Sequence, residues 1–245
     1  MLGSSSKTRC SSFCVHGRVL VALLMGVAGV NTAQAQAVSF RDPVNLPVGT
    51  SPEAIAAGYF KGDNVLDLAV ANAGSNTVSI LLGNPDGSFR DPVNYPVGTG
   101  PWFITATDLN GDQIPDLVVS NQDSADVTFL LGVGDGTFVN LQSYSFDATT
   151  TPFSTVAADF DADGTQDLVV SNTISAFLLL GAGDGTFGKS TELLGPHARF
   201  VALGDFNGDN IPDLAITNGH GVDNVSILLG RGDGTFEISG NFAVG

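Results

Sequence analysis

The chain has 245 residues, of which 43% are hydrophobic and only 14% charged, so it can bury a core and is not a solvated disordered chain. Nine Lys and Arg stand against 25 Asp and Glu, a net charge of −16, which excludes binding to nucleic acid or to an anionic membrane by charge and favours binding cations. Thirty-one glycines, with few Met, Trp and Tyr, favour strands and tight turns over long helices.

Residues 1–37 read as a secretory signal peptide. Lys7, Arg9 and Arg18 form a basic start, and Val19 to Val30 is an unbroken apolar and glycine run. Ala33-Gln-Ala35 and Ala35-Gln-Ala37 offer small-x-small cleavage sites. Twelve apolar residues are too few to span a bilayer, which takes about 20. Cleavage takes the net charge from −16 to −19 and removes both cysteines, Cys10 and Cys14, leaving no disulfide. The expected location is therefore extracellular or periplasmic, without membrane insertion.

Residues 38–245 repeat one unit. Phe40, Phe89, Phe138, Phe187 and Phe236 recur every 49 residues. The last four close the phrase Asp-Gly-Ser/Thr-Phe, as in Asp86-Gly-Ser-Phe89 and Asp135-Gly-Thr-Phe138. An apolar run ending in glycine precedes each, for example Ile80-Leu-Leu-Gly83. In the second unit, strands are expected at Phe103–Thr107, Asp116–Asn121, Val127–Leu131 and Val139–Phe146, with a tight Asp135-Gly136 hairpin turn. No window keeps a helical period. Four antiparallel strands per unit of this length predict an all-β fold, a β-propeller with four four-stranded blades. Ser39–Gly49 and Thr235–Gly245 both carry the fourth-strand pattern, one copy more than the sets of strands one to three. That surplus fits a piece of a larger ring, or a complete four-blade ring with a spare edge strand.

The aspartates gather between strands one and two. Asp108, Asn110, Asp112 and Asp116 stand at positions 1, 3, 5 and 9 of a nine-residue loop. Asp159, Asp161, Asp163 and Asp167 repeat the pattern, as do Asp205, Asn207, Asp209 and Asp213. With a backbone carbonyl near position 7 (Ile114, Thr165, Ile211), each loop offers the hard oxygens that Ca2+ takes six to eight of. Position 12 is Val119, Val170 or Ile216, each within a strand, so these are not EF-hands.

These loops, each followed by Leu and a short apolar strand, resemble the calcium motif of the FG-GAP/VCBS repeat family, the propeller repeats related to the integrin α-chain head. The resemblance covers about residues 39–245 and implies a calcium-stabilised propeller, commonly seven-bladed, used in extracellular recognition and adhesion. The first loop departs from it: Tyr59 and Lys61 occupy positions 1 and 3, so Asp63 and Asp67 lack acidic partners there.

No Gly-x-Ser-x-Gly elbow, Walker loop or zinc-spaced histidine cluster occurs, and the clustered acids are accounted for by the repeat, so no enzymatic activity is expected. The alternation of strands puts the aspartate loops and Asp-Gly turns on one face. On the other face, Glu53, Trp102, Phe153 and Arg199 hold equivalent positions and differ in chemistry, which suits ligand recognition or packing between blades. The expected function is a secreted recognition or adhesion module for a protein or carbohydrate. The alternatives are a structural spacer or a non-catalytic part of a larger secreted enzyme.

Overall fold

Short β-branched and apolar runs bounded by Gly, Asp and Asn clusters have no length for a helix but suit strands. In the computed structural model, which describes residues 42–141, 143–194, 197–219 and 224–244, the described residues form seventeen strands and no helix. The chain divides into two units, Met1–Asn45 and Leu46–Gly245. Of the first, residues 42–45 are described and carry no regular structure. The signal-peptide reading of residues 1–37 lies outside the described residues.

The second unit holds four antiparallel sheets in chain order. Blade 1 contains β1 (Pro52–Gly58), β2 (Asp67–Asn72), β3 (Thr77–Leu81) and β4 (Val93–Pro96). Blade 2 contains β5 (Pro101–Thr107), β6 (Asp116–Asn121), β7 (Asp126–Gly132), β8 (Phe138–Asn140) and β9 (Tyr144–Ser145). Blade 3 contains β10 (Pro152–Ala158), β11 (Asp167–Asn172), β12 (Ala176–Leu179) and β13 (Thr191–Leu194). Blade 4 contains β14 (Ala198–Gly204), β15 (Asp213–Asn218), β16 (Asn224–Gly230) and β17 (Phe236–Ala243). Strand order within each sheet follows the sequence, and the first strands β1, β5, β10 and β14 neighbour one another in turn. This is the blade arrangement of a propeller.

The core lies between blades. Phe60, Ala69, Val78 and Ile80 of blade 1 pack on Ile104, Leu117, Leu130 and Phe138 of blade 2. Val118, Val127 and Phe129 of blade 2 meet Leu168, Val170 and Leu179 of blade 3. Phe160, Val169 and Leu178 of blade 3 meet Val201, Leu214 and Ile216 of blade 4. A second strand thus faces a neighbour on both sides, which explains why every residue of Asp116–Asn121 and of Asp167–Asn172 is buried.

Three details differ from the sequence expectations. The fourth strand of blade 2 is split into β8 and β9, because its register on β7 slips by one residue between Leu130↔Asn140 and Val127↔Tyr144. The expected two-residue hairpin turn is wider: Val133 N donates to Thr137 O at 3.0 Å, and both Gly134 and Gly136 have positive φ. The early fourth-strand pattern forms no strand over residues 42–48, since no third strand stands before it among the described residues to pair with.

Candidate metal centre

Each nine-residue loop is pinned at its ninth position. The carboxylates of Asp67, Asp116, Asp167 and Asp213 are fully buried. One oxygen of each accepts the N–H of loop position 2, from Phe60 at 3.0 Å and from Leu109, Phe160 and Phe206 at 2.8 Å. The other accepts the N–H of a glycine that ends the third strand (Gly132 and Gly230, both 2.8 Å) or stands two residues past it (Gly83 at 2.8 Å, Gly181 at 2.9 Å). Those glycines cannot be replaced. A Cβ would meet the backbone oxygen of loop position 8 at 2.2 Å (Gly83, Gly181), 2.3 Å (Gly230) or 2.6 Å (Gly132). The ninth aspartate therefore ties the loop to the third strand in all four blades, a role the sequence reading did not give it.

The first position shapes the loop. In blades 2, 3 and 4, Asp108, Asp159 and Asp205 accept the N–H of position 6 at 2.8, 2.9 and 3.0 Å. Those residues, Gln113, Gly164 and Asn210, have positive φ of 66°, 89° and 66°. Position 5 is held too: Asp112, Asp163 and Asp209 accept the N–H of position 7 at 2.8 Å. Asn110 and Asn207 each donate to the position 5 carboxylate, at 3.0 and 2.8 Å. Asp161, in the same place, has no such donor. There one oxygen each of Asp159, Asp161 and Asp167 lie within 4.8 Å of one another. Ile114 and Ile211 bring their side chains beneath the third-strand end, and the Thr165 hydroxyl donates to Asp163 at 2.7 Å. An open cleft of about 380 Å³ lies between the second and third loops and is lined by Asp108, Asn110, Thr165 and Gly183.

The electrostatics separate the loops. Burial pushes the Asp116 carboxyl up to about 6, against two N–H donors that lower it, with Asp112 and Asp108 adding like charge. Asp167 is raised for the same reasons, with Asp161 and Asp163 as the like charges. A buried carboxylate among carboxylates is costly without a cation. Blade 1 shows what satisfies such a place. Lys61 Nζ lies 2.9 Å from Asp67, 3.0 Å from Asp63 and 2.9 Å from Gly83 O, with only 10% of its side chain exposed. Asn64, at position 6 there, is not left-handed, because Tyr59 offers no carboxylate to hold it. Among the described residues only loop 3 gathers three carboxylates closely enough to hold a cation; loops 2 and 4 carry the same residue types without that convergence, and in loop 1 Lys61 takes the place.

The proposed recognition residues sit at the opposite ends of the first strands. Glu53, Trp102, Phe153 and Arg199 each fall at the register shift that opens β1, β5, β10 and β14. A bulge re-aims a side chain, so these four positions project differently from the strands they start. Trp102 is 38% exposed and Glu53 is exposed, whereas Phe153 is buried beneath Arg199, whose Cζ lies 4.8 Å from the ring centroid.

Repeated four-stranded blades with aspartate loops on one face define a propeller-like repeat protein. Models of the FG-GAP-like repeat match residues 59–119 and 108–170, and an FG-GAP repeat model matches residues 198–235. The chain belongs to the FG-GAP repeat family. No curated protein matches it in sequence. Among solved structures it is similar in fold to a lectin from Agrocybe aegerita that recognises non-reducing terminal N-acetylglucosamine (20% identity, TM-score 0.54, 74% of this chain and 49% of that one). It is also similar to the periplasmic gluconolactonase of Pseudomonas aeruginosa (16%, 0.56, 73% and 51%) and to a 6-phosphogluconolactonase-like protein of Bacteroides uniformis (15%, 0.59, 79% and 55%). The chain spans about half the length of each.

Proposed function

We propose that this chain is a secreted, calcium-stabilised propeller module that presents the bulged ends of its first strands to an extracellular protein or carbohydrate. The observation that carries the metal reading is the contrast between loops: buried Asp67 has an ammonium beside it, while buried Asp116 and Asp167 have only N–H donors and other carboxylates. Bound Ca2+ supplies the missing positive charge and cross-links the loop. The chain's own part is to hold positions 1, 3, 5 and 9 ready, through backbone N–H bonds that exist without the ion. With a dissociation constant of about 0.1 mM and about 2 mM free calcium, mass action adds roughly 1.8 kcal/mol per site. The module is proposed as non-catalytic, because its clustered acids are engaged in a repeated structural role. The lectin and lactonase likenesses support the fold alone at these identities, although carbohydrate is a reasonable first ligand class to screen.

Thermal unfolding with and without chelator tests the metal. The melting temperature should fall on chelation and return with calcium but not with equal magnesium. An unchanged melting temperature rejects calcium. A glycan and protein array with wild type and Trp102→Ala tests recognition: binding should weaken in the variant while calcium-dependent melting stays the same.

A further inference from the structure

The sequence holds three Asn-Gly steps: Asn110-Gly111, Asn207-Gly208 and Asn218-Gly219. Such a step can close on itself, because the nitrogen that follows the asparagine can attack the side-chain amide and glycine puts no Cβ in the way. The fold treats the three steps differently.

In loops 2 and 4 the reacting groups are laid out. Each attacking nitrogen turns its N–H to a carboxylate: Gly111 N donates to Asp108 Oδ1 at 2.8 Å, and Gly208 N to Asp205 Oδ1 at 2.7 Å. That is within the reach of a general base. The amide under attack is polarised at its oxygen. Asn110 Oδ1 accepts Asp112 N–H at 3.1 Å and Asn207 Oδ1 accepts Asp209 N–H at 3.0 Å, so a backbone donor already faces the atom on which charge develops. Both glycines are exposed to water, with positive φ of 75° and 82°, and a Cβ built on either meets nothing within 4 Å. The third step has none of this. Asn218 ends β15, and Gly219 N donates to a backbone oxygen, that of His197, at 3.0 Å. The Asn218 side chain is buried and gives its amide to Asn224 Oδ1 at 2.6 Å and to Ser226 Oγ at 2.7 Å, while its Oδ1 has no donor among the described residues.

We propose that Asn110 and Asn207 are sites of spontaneous modification, converted by their loops' own groups to aspartate and isoaspartate, and that Asn218 is spared. Gly111 N forms a bond to Asn110 Cγ as Asp108 takes its proton. The Cγ–Nδ2 bond then breaks, the proton passes from Asp108 to the leaving nitrogen, and ammonia departs from a cyclic imide. Water opens the imide: addition at Cγ gives aspartate, and addition at the main-chain carbonyl gives isoaspartate. Gly208, Asn207 and Asp205 take the same parts in loop 4. Loop 3 shows that the fold accepts the aspartate product, since Asp161 stands at this position and accepts Asp163 N–H at 3.2 Å. In loops 2 and 4 the change removes the amide's bond to Asp112 or Asp209 and adds one negative charge each, taking the net charge from −16 to −18. A loop modified to aspartate then carries the four-carboxylate set of loop 3.

Peptide mapping by mass spectrometry tests this on the full chain, held folded at neutral pH in chelator so that no cation occupies the loops. The mass gain of an amide turned to an acid should build up at Asn110 and Asn207 at least about tenfold faster than at Asn218. In chain unfolded by urea the three rates should draw together, since the steps then share only their local sequence. Asp108→Asn keeps an oxygen able to accept Gly111 N–H but removes the base. It should slow Asn110 at least about tenfold and leave Asn207 at the wild-type rate. Asp205→Asn should do the reverse, and it takes over the test if Asp108→Asn alters the circular dichroism spectrum. No mass gain at Asn110 and Asn207 in the folded chain, an equal gain at Asn218, rates that stay apart in urea, or a variant without the base that reacts as wild type does each overturns the proposal.

Discussion

At the scale of single residues, Lys61 decides how blade 1 is held. Its ammonium sits among Asp63, Asp67 and Gly83 O. Removing one partner of a buried pair typically costs about 3–5 kcal/mol, because a charge is left alone. Lys61→Met should therefore destabilise by about 3 kcal/mol in urea unfolding, equally in chelator and in calcium. Calorimetry on wild type should count three calcium ions, and Tyr59→Asp with Lys61→Asn should raise the count to four. Ala162 is the second telling residue. It holds φ of 60°, in the left-handed region where its loop equivalents are Gly111 and Gly208. Such a conformation costs an alanine about 1 kcal/mol, so Ala162→Gly should raise stability by up to about that amount in the same measurement.

The elements show what a sequence can and cannot disclose. The second strand of blade 2, Asp116–Asn121, was legible to the residue, because a buried run between an aspartate loop and an asparagine admits one register. The position of the loops was legible, because Asp and Asn recur at fixed spacing between the first and second strands of each repeat. The anchoring role of the ninth aspartate was missed, although a signal existed: Asp67 persists in the loop whose positions 1 and 3 are not acids. The bulges at Glu53, Trp102, Phe153 and Arg199 were not legible, since an extra residue in a ladder shows only against its partner strand. The turns carry a pH dependence of their own. Asp86, Asp135, Asp184 and Asp233 are held below the usual carboxylate range, first by a Ser or Thr hydroxyl and then by a backbone N–H. A lowered carboxylate contributes stability above its ordinary value and loses it as pH falls through the lower folded value. Thr186→Val should melt below wild type near neutral pH, and the two curves should converge on acidification below the ordinary aspartate value.

On the scale of the molecule, stability is shared unequally among blades. β11 is buried throughout and β10 nearly so, whereas no residue of β17 is buried. In a stack of repeats, an end unit has one neighbour where an inner unit has two. Hydrogen exchange on dilute protein should therefore find the amides of β10 and β11 slowest and those of β15 to β17 faster. Uniform protection across the four blades would contradict this reading.

Because every core is divided between one blade and its successor, the nascent chain is never finished until its final repeat arrives. At about 5–20 residues per second, the 49 residues of one repeat take roughly 2–10 s to emerge from the ribosome. Blades with this many local hairpins form within milliseconds to seconds, faster than the next one appears. Phe60, Leu109 and Phe160 precede Phe138, Phe187 and Phe236 by 78, 78 and 76 residues, so each waits roughly 4–16 s uncovered before its partner is translated. The tempo of translation, set outside the protein, thus fixes how long each of these side chains stands open to misassembly.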